Sequence, residues 1–330
     1  MNVAILVVNL PGYKLALTIS EKLKNDPTIF KVDIFQKKVK NTLKKIFNDY
    51  DIIIGIMASG IMVRSLCGLI KNKYTDPGIL IIDDNSKNVI SLLSGHLGGA
   101  NQFSKKISKL LGSECIITTS TDVNNKIGID EIARHHFFEI NDFKNIKTIN
   151  TALVANNIVK LYVPEQFGYL KENSIIKNSY EISIDDETTV ITACVDSESL
   201  ILKPKEMVLG LGSKRGVSTY QVTNAVKKAL KFLNLPIERI DKISTADIKK
   251  DELGIINFAN KYDKPIEIIS IDSLKNFKRV KLTKSSFVQE VLGVDGVCEP
   301  CALISAGDNS RLILRKLSVK GVTVSVAISE

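Results

Sequence analysis

The feature that most constrains this chain is a series of short, unbroken apolar runs, each handed on to an amphipathic stretch. Val3–Val8, Ile52–Ile56 and Ile79–Ile82 are too short for buried helices and lack the polar alternation of a half-exposed strand. They read as strands covered on both faces, the pattern of a parallel sheet held between helix layers. Tyr13–Leu23, Leu43–Phe47 and the stretch from Ser59 to Leu69 supply helices between them, and Val89–Leu93 and Glu114–Thr118 continue the alternation.

At 330 residues the chain is longer than one ordinary domain. Residues 1–124 form the first α/β region. Residues 125–206 are more polar, with Asn, Lys and Glu clusters, helical stretches near 130–138 and 142–155, and strand-like pieces at 158–163 and 188–193. Lys203-Pro204-Lys205 reads as a linker, and residues 207–330 as a second α/β unit. The expected fold is multi-domain α/β, with mainly parallel sheets flanked by helices and a separate middle domain.

Charge and composition exclude several classes. Lys plus Arg is 45 against 36 for Asp plus Glu, a net charge of +9. That balance favours anionic ligands. No arginine-rich arm, zinc finger or aromatic RNA-binding strand accompanies it, so no nucleic-acid partner is expected. No apolar run reaches the roughly 18 residues of a bilayer span, so no membrane partner is expected either. Met1–Val8 lacks the basic lead-in of a signal peptide and reads as the first strand. The 5 cysteines are odd in number and widely spaced, which argues for a reducing compartment, and a cytoplasmic location is expected.

Five segments carry candidate chemistry. Ser94-Gly95-His96-Leu97-Gly98-Gly99-Ala100-Asn101 joins a buried strand to a helix, with three glycines and a titratable imidazole. It suits a tight turn whose glycines serve packing, or a carboxylate-binding loop with an acid or base. Gly210-Leu211-Gly212-Ser213-Lys214-Arg215-Gly216 stands at a similar crossing, but its third glycine falls one residue late for a dinucleotide fingerprint. Asp83-Asp84 closes strand Ile79–Ile82, and Arg64 follows Gly60-Ile61-Met62-Val63. These are a base or orienting carboxylate and an oxyanion or carboxylate contact, or plain surface charges. Thr118-Thr119-Ser120-Thr121-Asp122 places hydroxyls after a strand, and Cys298-Glu299-Pro300-Cys301 reads as two small packing residues with Glu299 facing a ligand or capping a helix.

Longer words in these segments resemble one family. Gly60-Ile61-x-Val63-Arg64, Lys73-Tyr74-Thr75-Asp76-Pro77, Val89 through Asn101 and Thr118-Thr119-x-Thr121-Asp122 are similar to the amino-terminal part of the CbiG family of cobalt-precorrin-5A hydrolases. Gly210-Leu211-Gly212-x-x-x-Gly216, Ser244 through Lys249, Glu252 and Val297 through Leu303 resemble its carboxyl-terminal domain. The middle region would be the family's variable part.

The resemblance implies a hydrolase of anaerobic cobalamin biosynthesis. Its tetrapyrrole substrate bears carboxylates and a δ-lactone, whose opening is followed by release of acetaldehyde to give cobalt-precorrin-5B. Cobalt arrives within the substrate, so no cofactor and no protein metal site are expected. A homodimer, or transient contact with other enzymes of the pathway, stays open. From residue chemistry, His96 is the expected acid/base, with Asp83 or Asp84 orienting it. Arg64, Gly95, Gly98, Gly99, Asn101, Thr119 and Thr121 are the expected substrate contacts in the first region. Gly210, Gly212, Lys214, Arg215 and Glu299 are those in the last. The rival readings are a non-catalytic corrinoid carrier and a nucleotide-binding enzyme.

Overall fold

The computed structural model describes residues 1–280, 282–283, 289–290 and 293–330. Its strands form three sheets. The first takes β1 (Asn2–Val7), β2 (Lys31–Gln36), β3 (Ile52–Ile56), β4 (Gly78–Ile82), β5 (Asn88–Leu93) and β6 (Glu114–Ile116) in the order β2-β1-β3-β4-β5-β6. All neighbours are parallel except β4 and β5. β1, β3 and β4 are buried along nearly their whole length, as their unbroken apolar runs require. One face packs Ile19 and Leu23 of the Leu10–Leu23 helix and Phe103 and Ile107 of the Ala100–Leu111 helix. The other packs Leu43, Met62 and Leu66.

The antiparallel step at β4/β5 decides where a site can form. Ile82 pairs with Val89 and Ile79 with Leu93, so β5 runs back toward the end at which β4 begins. The connection at Asp83–Lys87 is a tight turn. The chain leaving β5 at Ser94 emerges instead beside Gly78, where a Cβ on Gly78 would stand 2.6 Å from the Gly98 carbonyl oxygen. β6 runs parallel to β5, so the Thr118–Asp122 segment leaves the sheet at that same end.

The second sheet, in the order β7-β11-β10-β8-β9, contains β7 (Phe138–Ile140), β8 (Lys160–Val163), β9 (Glu181–Ile184), β10 (Ile191–Val195) and β11 (Glu198–Pro204). β10 is antiparallel to both β8 and β11, while β8 and β9 are parallel. β11 runs through Pro204, so the expected linker shrinks to Lys205-Glu206.

The third sheet, β14-β13-β12-β16-β15, contains β12 (Met207–Ser213), β13 (Lys242–Ala246), β14 (Ile266–Ile269), β15 (Arg311–Val319) and β16 (Val322–Ile328). β12, β13 and β14 are parallel, and the β15–β16 hairpin adds antiparallel at one side. Ser218 caps the Thr219–Leu233 helix in a complete capping box with Gln221, as its residue type predicts.

The chain divides into two compact units, one of residues 1–164 with 170–203 and one of residues 165–169 with 204–330. Within the second, Arg239 is fully buried. It bonds Asp241 and the Lys205 carbonyl, and its guanidinium lies 5.6 Å from the Phe167 ring centre, fixing the short 165–169 excursion.

Candidate active site

The loop after β5 closes on itself before the Ala100–Leu111 helix starts. Gly99 N–H donates to the His96 carbonyl (2.9 Å), Ala100 N–H to Ser94 (3.2 Å) and Asn101 N–H to Gly95 (3.0 Å). Gly99 has φ +80°, and a Cβ there would meet the Arg134 guanidinium at 1.9 Å, so two independent constraints require glycine. Ser94 also adopts a left-handed backbone, φ +54°.

This folding turns the His96 side chain inward, leaving it 10% exposed. Its Nδ1–H donates to Asp130, with Oδ2 at 3.1 Å and Oδ1 at 3.2 Å. Asp130 sits in the first turn of the Ile129–His136 helix and also accepts from Asn150 Nδ2 at 2.8 Å. His96 Nε2 has Thr121 Oγ1 at 3.1 Å, Asp122 Oδ2 at 3.5 Å and Glu131 Oε2 at 3.9 Å. Lys105 (2.8 Å) and Asn101 (2.8 Å) donate to Asp122 from the opposite side.

The electrostatics follow from that crowding. Burial by itself disfavours an imidazolium. The Asp122 and Asp130 carboxylates, with Glu131 beyond them, outweigh it and hold the His96 pKa up at about 10. Burial would raise Asp122, but His96 and Lys105 bring it down to about 2. Asp130 is likewise lowered against its burial by His96. Glu131 is raised, first by burial and then by the Asp122 charge. At neutral pH His96 is therefore a cation that donates from both nitrogens. His96, Asp122 and Glu131 also have ligand atoms within 4.8 Å of one another, a spacing that suits a divalent cation. Such an ion would have to displace the Nε2 proton.

His96 opens onto a cavity of about 530 Å³, lined also by Ser94, Gly95, Thr119, Thr121, Asp130 and Lys147 among others. Gly95, His96, Thr119 and Thr121 of the expected contacts meet here. Asn101 is 2% exposed and acts from behind. It accepts from Ser91 (2.6 Å) and donates to Thr119 Oγ1 (2.9 Å) and Asp122.

Other expectations are corrected. Asp83 and Asp84 do not orient His96. Asp83 accepts backbone N–H bonds from Asn85, Lys87 and Asn88 in the β4–β5 turn, which hold its pKa down against its burial, and Asp84 accepts from Asn9. They stand at the far end of β4 from Gly78 and the His96 loop, roughly 15 Å away at about 3.3 Å per residue. The Gly99 amide is spent inside the loop, and Gly98 packs against Ser94, so that pair of amides does not form an anion nest. Arg64 lies on the Ser59–Leu66 helix with its guanidinium folded over Gly60.

In the second unit, Gly210 faces the Cys298 carbonyl, where a Cβ would come to 2.0 Å, and Gly212 faces Thr323. Both glycines serve close packing rather than approach to a ligand. Arg215 is paired with Asp251 (2.6 Å) and the Ile248 carbonyl, while the Lys214 amide bonds the Gly321 carbonyl. Glu299, 2% exposed, accepts from Thr283 N–H, Thr283 Oγ1 and Lys316 N–H and so ties chain segments together. Burial pushes the Cys298 thiol up to about 11 and raises Cys301 well above the ordinary thiol range, so neither is a reactive thiolate.

Comparison with known proteins gives the family. Residues 41–122 match the model of the cobalamin synthesis G amino-terminal domain, and residues 207–327 that of its carboxyl terminus. A Methanocaldococcus jannaschii protein named "Probable cobalt-precorrin-5A hydrolase" is 36% identical, over 99% of each chain. The chain belongs to the CbiG family. Two further members are named cobalt-precorrin-5A hydrolase. That of Salmonella typhimurium is 29% identical over 94% of this chain and 90% of its own, and that of Priestia megaterium 27% over 92% and 86%. A crystal structure of a cobalamin biosynthesis protein G homologue from Sulfolobus solfataricus superposes with TM-score 0.57 at 29% identity, covering 100% of this chain and 97% of that one. The amino-terminal family match ends at Asp122, just short of Asp130, Glu131, Lys147 and Asn150. Those residues lay in the region whose sequence carried the least recognisable pattern.

Proposed function

We propose that the chain is a cobalt-precorrin-5A hydrolase whose reaction centre is the cavity at His96. Full-length similarity to proteins of that name supports the activity. The observation that carries the site is the imidazole held between Asp130 and Thr121 at the wall of a cavity.

Opening a lactone requires water to attack the ester carbonyl, donors for the tetrahedral oxyanion and a proton for the departing ring oxygen. With both nitrogens protonated, His96 donates Nε2–H to the Thr121 hydroxyl. Thr121, 3% exposed, can then direct its own proton at the ester. Asp130 keeps the imidazolium charged and oriented, and itself is held by Asn150. Thr119, fixed by Asn101, offers a second hydroxyl. Water adds to the carbonyl carbon and gives up a proton, the acyl carbon–oxygen bond of the ring ester breaks and the departing oxygen takes a proton. That hydroxyl then loses its proton as the carbon–carbon bond from the meso carbon to the ring breaks, its electron pair passing into the macrocycle and the meso carbon leaving with its methyl group as acetaldehyde. At about 530 Å³ the cavity falls within the ordinary range of small-molecule sites.

The test is anaerobic incubation with cobalt-precorrin-5A, trapping acetaldehyde with a hydrazine. The reading expects acetaldehyde in step with cobalt-precorrin-5B. Tight binding of the substrate with no acetaldehyde would make the chain a corrinoid carrier instead.

A further inference from the structure

Two lysines line the cavity at His96 that the lactone chemistry does not use. Its charged lining residues are Lys73, Lys147, His96 and Asp130. His96 is balanced by Asp130, with Asp122 and Glu131 beside it. That leaves two ammonium groups, which reach the cavity from separate parts of the chain. Lys73 stands in the loop before β4, with its ammonium 5.3 Å from the Tyr74 ring centre, and Lys147 lies on the Ile146–Val154 helix. Among the described residues neither is paired with a carboxylate. A bound anion would supply the counter-charge that both lack.

The two lysines share that cavity with His96 and with the Thr119 and Thr121 hydroxyls, so a group that they held would lie beside the imidazolium.

We infer that Lys73 and Lys147 form a clamp for one carboxylate arm of an acid-bearing macrocycle, placing the ring ester over Thr121 and His96. The inference rests on the hydrolase reading and names what positions the substrate in that site. The two lysines are positioning residues. They hold a group remote from the reacting atoms, and their loss should appear in KM before kcat.

The experiment uses the full chain with Lys73→Met, Lys147→Met and the double variant, and with Lys40→Met as a surface control. With cobalt-precorrin-5A, each single change should raise KM about tenfold and the double about a hundredfold, with kcat within about threefold. Arginine at both positions should restore most of the loss. Binding is measured separately by calorimetry, without turnover, using cobyrinic acid as a stable cobalt corrin polycarboxylate and its neutral methyl ester as the comparison. Wild type should prefer the acid, the preference should fall with added salt and vanish in the double variant, and ester binding should not change.

A KM unchanged in the double variant, or equal binding of acid and ester by wild type, overturns the clamp. The two ideas fail separately. Acid-selective binding that depends on the lysines, in a protein that releases no acetaldehyde, removes the hydrolase reading and leaves the clamp standing. Acetaldehyde release with lysine-independent KM does the reverse.

Discussion

Replacing His96 by Leu tests the electrostatic core of the site, and its effect can be sized from the structure. His96 is the cation among three carboxylates, with Asp130 at 3.1 Å, Asp122 at 3.5 Å and Glu131 at 3.9 Å. A pKa that rises from 6.5 to about 10 on folding corresponds to roughly 5 kcal/mol at about 1.4 kcal/mol per tenfold. Breaking a buried ion pair by deleting one partner costs about 3–5 kcal/mol, which agrees. The sign of the pH dependence is fixed. Between pH 6.5 and about 10 the unfolded imidazole has lost its proton and the folded one retains it, so the unfolded state binds fewer protons and stability falls as pH rises. The contribution is complete below pH 6.5 and gone above about 10. Urea unfolding of wild type and His96→Leu at intervals from pH 6 to 10 should therefore show a gap of about 3–5 kcal/mol at pH 6 that closes with pH. A gap that is small, or constant across that range, would refute the reasoning.

Other outcomes follow from the same geometry. Thr121→Val keeps the shape of the wall and removes the hydroxyl between His96 and the cavity; kcat should fall about 10²-fold with KM little changed, read from steady-state acetaldehyde release. Asp130→Asn leaves the imidazole without its charged partner, so the His96 pKa, followed by NMR titration, should drop, and kcat should fall with it. Gly99→Ala forces a side chain into φ +80° and displaces the Arg134 guanidinium, costing about 1–2 kcal/mol in chemical unfolding. Glu299→Ala strands the Thr283 and Lys316 amides and should cost about 2–4 kcal/mol in unfolding, while the Lys316 amide gains exchange with solvent.

The first sheet was legible because β1, β3 and β4 are apolar on both faces, and only a covered sheet tolerates that. The direction of β5 was not. Its residues Asn88–Leu93 look the same running either way, and only the shortness of the Asp83–Lys87 turn, too few residues for a parallel crossover, shows that the chain reverses. That reversal moved the site to the other end of β4 and separated Asp83 and Asp84 from His96. The loop from Ser94 to Asn101 and the threonines after β6 stood out in the sequence as candidates, but a tight turn and helix capping explained the same residues, and only the fold shows that they line one cavity. Asp130 was hidden because an acid in the first turn of a helix looks like ordinary dipole stabilisation. Lys147 gave no signal among so many surface lysines. Gly210 and Gly212 misled because close packing of a helix on a strand demands the same residue as close approach of a ligand.

The most direct trial of the whole account is a single-turnover measurement with cobalt-precorrin-5A, comparing wild type with His96→Asn and following trapped acetaldehyde. Wild type should release it in step with substrate loss, and the variant, if folded, about 10²–10⁴-fold more slowly. Equal rates would place the reaction somewhere other than the cavity at His96.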